Sequence, residues 1–320
     1  MPTLRCDFPH PLTNPTAVTA IVPATTANLG PGFDCLGVAL ALYNQVRFTR
    51  LDPQGGTALA IAVAGEEADR VPRDGSNLVY RSYCALFEKV GRSPLPVQIE
   101  INLGIPLARG LGSSATAIAA GLVGANFLLG NLLSPNEVAD LAISLEGHPD
   151  NIIPALLGSG RLSATRSDGA WVHVEVPWNA AIVPVIAIPN FELSTEEARR
   201  VLPPHYSRAD AVFNASHLGL LLRGLEDGRI DWLQAAMQDR IHQPYRTQLI
   251  PGFEVVRGAA IAAGAAETVI SGAGPTLLAL AHQDTAAAVA AAMQQAWQQV
   301  GIPAVAQPVA IELQGTRLRP

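Results

Sequence analysis

The chain has 320 residues, 27 acidic and 21 basic, for a formal net charge of −6, a balance that argues against a broad nucleic-acid face. Hydrophobic residues make up 49% and charged ones 15%, with no low-complexity or like-charge run, which excludes an intrinsically disordered chain. The length exceeds the usual size of one hydrophobic core, so two packed domains are expected.

Residues 1–16 hold several prolines and few apolar side chains and read as a flexible N-terminal extension. Strands follow near 17–23, 44–50, 57–63 and 97–103, and helices near 76–91, 113–130 and 134–146. The apolar start at 17–21 lacks a basic leader and runs into Pro23, which makes a poor signal peptide and a good strand. Residues 115–133 are apolar for longer, but three glycines and two asparagines suit a buried helix better than a membrane span. Ser134 with Glu137 three positions later is a capping box, and Pro135 fits the first turn of the helix it opens.

Gly158-Ser159-Gly160 closes the first half, with domains expected over 17–165 and 166–320. The second half gives strands near 170–176, 182–188, 267–271, 276–281 and 304–312, and helices near 194–201, 208–226, 253–263 and 284–299. The fold class is α+β with segregated layers. Cys6, Cys35 and Cys84 are odd in number and lack metal-ligand spacing, so they read as reduced thiols in a cytoplasmic protein, Cys35 as a packing residue.

The segment richest in chemistry joins an alternating strand, Val97 to Leu103, to an apolar helix opening at Ser113. It reads Pro106-Leu107-Ala108-Arg109-Gly110-Leu111-Gly112-Ser113-Ser114-Ala115-Thr116. Gly110 and Gly112 let backbone approach a ligand, and the first N–H groups of the helix have no intrahelical acceptor while its dipole is positive there. Donors therefore converge on an anion, and Ser113 and Ser114 add hydroxyls. A Walker loop needs a lysine after its last glycine, and a protein kinase needs a strand lysine on the phosphates. The single lysine here, Lys89, lies in a helical stretch far from any glycine loop. No G-x-G-x-x-G with a following acidic residue supports a dinucleotide fold. Phosphate charge must then be met by backbone dipoles, serines and a metal.

This loop resembles motif 2 of the GHMP kinases. Val22-Pro23-Ala24-Thr25-Thr26-Ala27-Asn28-Leu29-Gly30-Pro31-Gly32-Phe33-Asp34 is similar to motif 1 in the form carried by the homoserine kinases of that family, and Ser271-Gly272-Ala273-Gly274-Pro275-Thr276 is similar to motif 3. Leu145-Glu146-Gly147-His148-Pro149-Asp150-Asn151 also resembles a homoserine kinase segment. The resemblance runs from about Ala17 to Leu313. It implies an N-terminal domain like ribosomal protein S5 domain 2, a C-terminal ferredoxin-like domain, and a site between them. The implied activity is ATP- and Mg²⁺-dependent phosphorylation of the L-homoserine hydroxyl, a step toward threonine, in a cytoplasmic homodimer with no nucleic-acid or membrane partner.

The resemblance also assigns residues. Pro106 to Thr116 hold the ATP phosphates, with Ser114 and Glu146 at the metal; Asp140 is the alternative carboxylate by the spacing of some relatives. Asp150, followed by Asn151, meets the reacting hydroxyl, either as a general base or as an orienting acceptor. An amino-acid acceptor needs oxygens for its ammonium and arginine for its carboxylate; Asn28 and Asp34 serve the first, Arg199 and Arg246 the second, with Gly272 and Gly274 beside them. His148, followed by proline, reads as a loop histidine. Rival readings are a GHMP kinase for mevalonate or shikimate, and a non-catalytic sensor that would lack part of the set Ser114, Glu146 and Asp150, all present here.

Overall fold

The computed structural model describes residues 15–319; the extension expected over 1–16 lies, apart from its last two residues, outside them, as does Cys6. Among the described residues eleven strands form two sheets. The larger has β1 (Ala17–Asn28), β2 (Gly32–Arg50), β3 (Leu59–Ala64), β4 (Val97–Asn102), β5 (Gly160–Thr165), β6 (Trp171–Val176) and β11 (Arg317–Arg319), in the order β11-β1-β2-β4-β3 with β5 and β6 continuing from the other half of β2. The smaller has β7 (Ile182–Pro189), β8 (Ala265–Ile270), β9 (Leu277–His282) and β10 (Ala304–Pro308), antiparallel in the order β10-β7-β9-β8.

Helices α1 (Leu78–Lys89), α2 (Ser113–Leu128), α3 (Pro135–Glu146) and α4 (Pro149–Leu157) cover one face of the larger sheet. The central one is α2, apolar around its whole circumference and buried over all but three of its sixteen residues, as a helix without a polar face must be. The capping box before α3 is formed, Ser134 and Glu137 exchanging bonds with each other's backbone. On the C-terminal side lie α5 (Thr195–Arg200), α6 (Arg208–Asp227), α7 (Ile230–Ala236), α8 (Gln243–Arg246), α9 (Phe253–Ala262) and α10 (Ala286–Gln299). Of these, α9 and α10 close a core against the smaller sheet around Trp297, Met293 and Val256. A third apolar cluster joins the two layers, and Leu29, Leu36 and Leu111 from the glycine-rich segments sit in it beside Met237 and Leu278. The loops are thereby fastened to both halves by burial of apolar area.

Three expectations need correction. The strand near 17–23 runs on to Asn28, and β2 starts at Gly32 rather than near 44, so the Gly30-Pro31-Gly32 turn joins two long paired strands; burial on both faces removes the alternation that marks a half-exposed strand. The strand near 304–312 ends at Pro308, which has no N–H to donate, and the chain then returns to the larger sheet through a bridge from Ile311 to Leu40 and the pairing of β11 with β1. Finally, β6 pairs with β5 in the larger sheet; we propose to set the break between the halves after residue 176 rather than at 165. No helix among the described residues is long and apolar enough to cross a membrane.

Candidate active site

The loop ahead of α2 is shaped by three residues with positive φ, Ala108, Gly110 and Gly112. The glycines are obligatory for contact as well as conformation: a Cβ on Gly110 would meet the Ser271 and Gly274 carbonyl oxygens, and one on Gly112 would meet the Thr25 hydroxyl. The loop carbonyls point outward into protein donors. Leu111 O accepts from Thr25 N (3.1 Å), Gly110 O from Ser271 Oγ (2.6 Å), Arg109 O from Thr276 N (3.2 Å) and Ala108 O from Leu193 N (3.3 Å). Among the described residues no acceptor takes the N–H groups of Gly110, Leu111 and Gly112, and Gly112 caps α2 without a side-chain bond. A converging set of donors at a positive helix end is an anion site.

Gly110 and Gly112, with Ser113 and Ser114 after them, line a cavity of about 360 Å³ between the two halves. From the end of β1 and the start of β2 come Asn28 and Asp34, both with positive φ; Asn28 Nδ2 donates to Gly272 O at 2.9 Å and its Oδ1 accepts from Asp34 N at 3.1 Å. Asp34 is gripped at both oxygens by Arg199, from Nη1 at 3.0 Å and Nη2 at 2.7 Å. Arg246 is 2% exposed: its Nε donates to Ala198 O (3.0 Å) and its Nη1 to Gly272 O (3.1 Å), while no described residue accepts from Nη2. Burial and the neighbouring Arg199 bring its pKa down to about 10, so it stays charged at neutral pH.

The start of α4 delivers Asp150 and Asn151. Asp150 is 2% exposed, and its Oδ1 faces His148 Nδ1 at 2.6 Å and accepts from Asn151 Nδ2 at 3.3 Å; no described residue donates to its Oδ2. Asn151 is fixed through its Oδ1 by the Thr25 hydroxyl at 2.8 Å. His148 is therefore no idle loop residue. Burial alone would lower its pKa, but the bond to Asp150 and the charges of Asp150, Glu146 and Asp34 outweigh that and raise it above 6.5. The signal in the sequence was the i,i+2 spacing to Asp150 at a helix start.

Glu146, at the end of α3, accepts from Ser114 Oγ at 2.9 Å, and burial raises its pKa despite that bond. Asp140 is exposed on the same helix with Lys89 as its charged neighbour, away from the cavity. The Arg109 side chain turns from the loop to Leu107 O (2.7 Å), Glu67 (3.5 Å) and Glu192 (3.4 Å). Pro106, Leu111, Ala115 and Thr116 do not line the cavity; Thr116 Oγ1 instead ties Ser113 O to Asn44. Gly272 and Gly274 do line it. A second cavity of about 220 Å³, mostly apolar, adjoins at Leu107, Ser113 and Ser114 and reaches Val71, Pro72, Asn77 and Val79. None of those four was expected, because they lie on a connection and a helix start without a motif. Burial pushes the Cys35 thiol up to about 11, in keeping with a packing role.

The family model of the GHMP kinases N terminal domain matches residues 77–159, and that of the GHMP kinases C terminal domain matches 221–299. The homoserine kinase of Microchaete diplosiphon is 60% identical over 299 residues, which is 93% of this chain and 96% of that protein. The homoserine kinase of Trichormus variabilis is equally similar, with 98% of its length covered. The chain belongs to the GHMP kinases, in their homoserine kinase branch. Among solved structures, homoserine kinase from Cytophaga hutchinsonii superposes with a TM-score of 0.86 at 30% identity, over 98% of this chain and 100% of that one. The α+β pair of domains implied by the motifs is thus the fold of this protein, and all three motifs reach the cavity, together with the 146–151 segment, residues within 193–199 and Arg246.

Proposed function

We propose that this protein transfers the γ-phosphoryl group of ATP to the side-chain hydroxyl of L-homoserine, giving O-phospho-L-homoserine, as a step of threonine biosynthesis. The observation that carries the substrate is the pairing of charges in one cavity beside the phosphate loop: Asp34 and Asp150 face Arg199 and Arg246. A zwitterionic acceptor fits both signs at once. Its carboxylate goes to Arg246 Nη2 and the Arg199 side, its ammonium to Asp34 and Asn28. Arg199 and Asp34 pair with each other across the cavity wall, and the acceptor engages the two groups separately.

In-line phosphoryl transfer asks for positioning and charge neutralisation more than for covalent chemistry. The N–H groups of residues 110–112 and the start of α2 hold phosphate oxygens, and the adjoining apolar cavity receives the nucleoside. The acceptor hydroxyl lies at Asp150 Oδ2, with Asn151 and His148 fixing that carboxylate; the proton passes to Asp150 or, with Asp150 as orienter, to the phosphate. Ser114 and Glu146 fit a magnesium ion: a hydroxyl and a carboxylate stand side by side, and the carboxylate is one whose burial a cation would compensate. Bound there, Mg²⁺ would neutralise phosphate charge. A homodimer and a cytoplasmic location are part of the same proposal, the free thiols Cys35 and Cys84 suiting a reducing compartment.

The test is ADP release from Mg-ATP by purified protein with L-homoserine, mevalonate, shikimate, L-serine or no acceptor. Turnover with homoserine alone is expected. Turnover with another alcohol would move the arginines to another task, and ATP binding without turnover would make the protein a sensor.

A further inference from the structure

Beneath the acceptor cavity lies a buried polar cluster that takes no part in the steps above. His242, fully buried, stands just before α8. Its Nε2 is 2.9 Å from the Gly30 carbonyl oxygen, which only accepts, so Nε2 carries the proton. A neutral ring then presents its lone pair at Nδ1, and the group there is Arg246 Nη1 at 3.5 Å, which only donates. Burial lowers the imidazole pKa and so favours that neutral form. The ring stacks on Phe33 with centroids 5.2 Å apart, and the guanidinium carbons of Arg246 and Arg199 lie 5.1 and 5.6 Å from the Phe33 centroid. Asp239 holds the backbone, accepting from the N–H groups of Ile241, His242 and Gln243 and from Asn214 Nδ2.

The consequence concerns orientation. Arg246 carries five donors in a rigid fork. Nε and Nη1 are used inside the protein, and only Nη2 is left for a ligand. Rotation of the fork would exchange these duties, and the one side chain that accepts from Nη1 is His242. We propose that His242 is a positioning residue for the acceptor carboxylate: accepting from Arg246 at Nδ1, with its other nitrogen locked to the Gly30 turn, it keeps Arg246 Nη2 directed into the cavity. This role rests on the reading of the cavity as an amino-acid site.

Two near-isosteric variants separate the two ring nitrogens. His242→Asn can keep an acceptor at the Nδ1 position and loses the donor to Gly30; His242→Gln can reach Gly30 and leaves Arg246 without its acceptor. His242→Gln is expected to raise KM for homoserine by about three- to tenfold, the worth of one modest hydrogen bond, with KM for ATP and kcat little changed. His242→Asn should stay near the unaltered protein. With 3-aminopropan-1-ol, which lacks the carboxylate, both variants should match the unaltered protein in kcat/KM. Equal rises in homoserine KM for the two variants, or equal losses with both acceptors, would reduce His242 to a structural residue. Imidazole ¹⁵N spectra of the unaltered protein test the same point whether or not the variants fold: a proton on Nδ1 overturns it, one on Nε2 supports it. A failure of the substrate reading shows separately, as absent turnover of homoserine by the unaltered protein, and would remove this role with it.

Discussion

The two arginines of the acceptor pocket should fail differently when truncated. Arg246→Ala takes away a buried guanidinium. Gly272 O keeps its bond from Asn28, but Ala198 O and His242 Nδ1 lose the donors they now have. Two stranded acceptors at about 1–3 kcal/mol each give a loss of stability of roughly 2–6 kcal/mol, reduced by removing a charge that Arg199 repels. Arg199→Ala removes a half-exposed pair with Asp34, for which about 0–1 kcal/mol is expected. On the substrate side each variant forfeits a charge-assisted contact with the carboxylate, about 1.5–3 kcal/mol, or a rise of roughly 10- to 150-fold in KM for homoserine. KM for ATP should move by less than about twofold, since neither side chain reaches the phosphate loop donors. Initial rates of ADP release, with each substrate varied at saturation of the other, measure the first effect, and thermal unfolding measures the second. Equal rises in both KM values would refute the pocket assignment. Equal destabilisation by the two variants would refute the burial argument.

Ser114→Ala and Glu146→Ala should each raise the Mg²⁺ concentration for half-maximal rate by at least roughly tenfold, since even an outer-shell partner of a metal is worth roughly 10- to 100-fold, while Asp140→Ala leaves the titration unchanged; a shift for Asp140→Ala alone would reverse the assignment. Ala117→Phe, which projects a ring into the apolar cavity lined by Val79 and Leu103, should raise KM for ATP and spare that for homoserine, as initial rates would show. The pKa of His148 is raised above 6.5 by Asp150, so its pairing stabilises the fold fully at pH below 6.5 and loses that contribution as pH climbs through the raised value. Denaturant melts of His148→Asn across that interval should show a flatter dependence of stability on pH than the parent protein. An identical slope would mean that His148 does not titrate there.

What could be read from sequence was local. The loop ahead of α2 lies within about twenty residues, and its strand period, glycines and helix onset each have a backbone cause, so its shape was legible locally, while its reading as a phosphate site leaned on the other motifs. Motif 1 was harder: Asn28 and Asp34 were nameable, but the paired strands around them were not, because a segment buried on both faces carries no alternation and Gly37 sits against the Asp150 backbone for a packing reason. The short α4 was legible only as an alternative, a helix ahead of Ile152 to Leu157, because Pro149 and Pro154 interrupt it; the first is compatible with helix as a first-turn proline, and the second is the sixth residue, near the helix end. Arg246 was nameable by resemblance alone. Its partners are carbonyls 48 and 26 positions away and a histidine whose proton is fixed by a turn 212 positions away, and no periodicity records such contacts. The residues proposed for the chemistry were visible because they stand in short motifs, although their partners, such as Thr25 for Asn151 and Arg199 for Asp34, are distant in the chain. The residues that aim them were not, since their surroundings exist only once the two sheets have closed on each other.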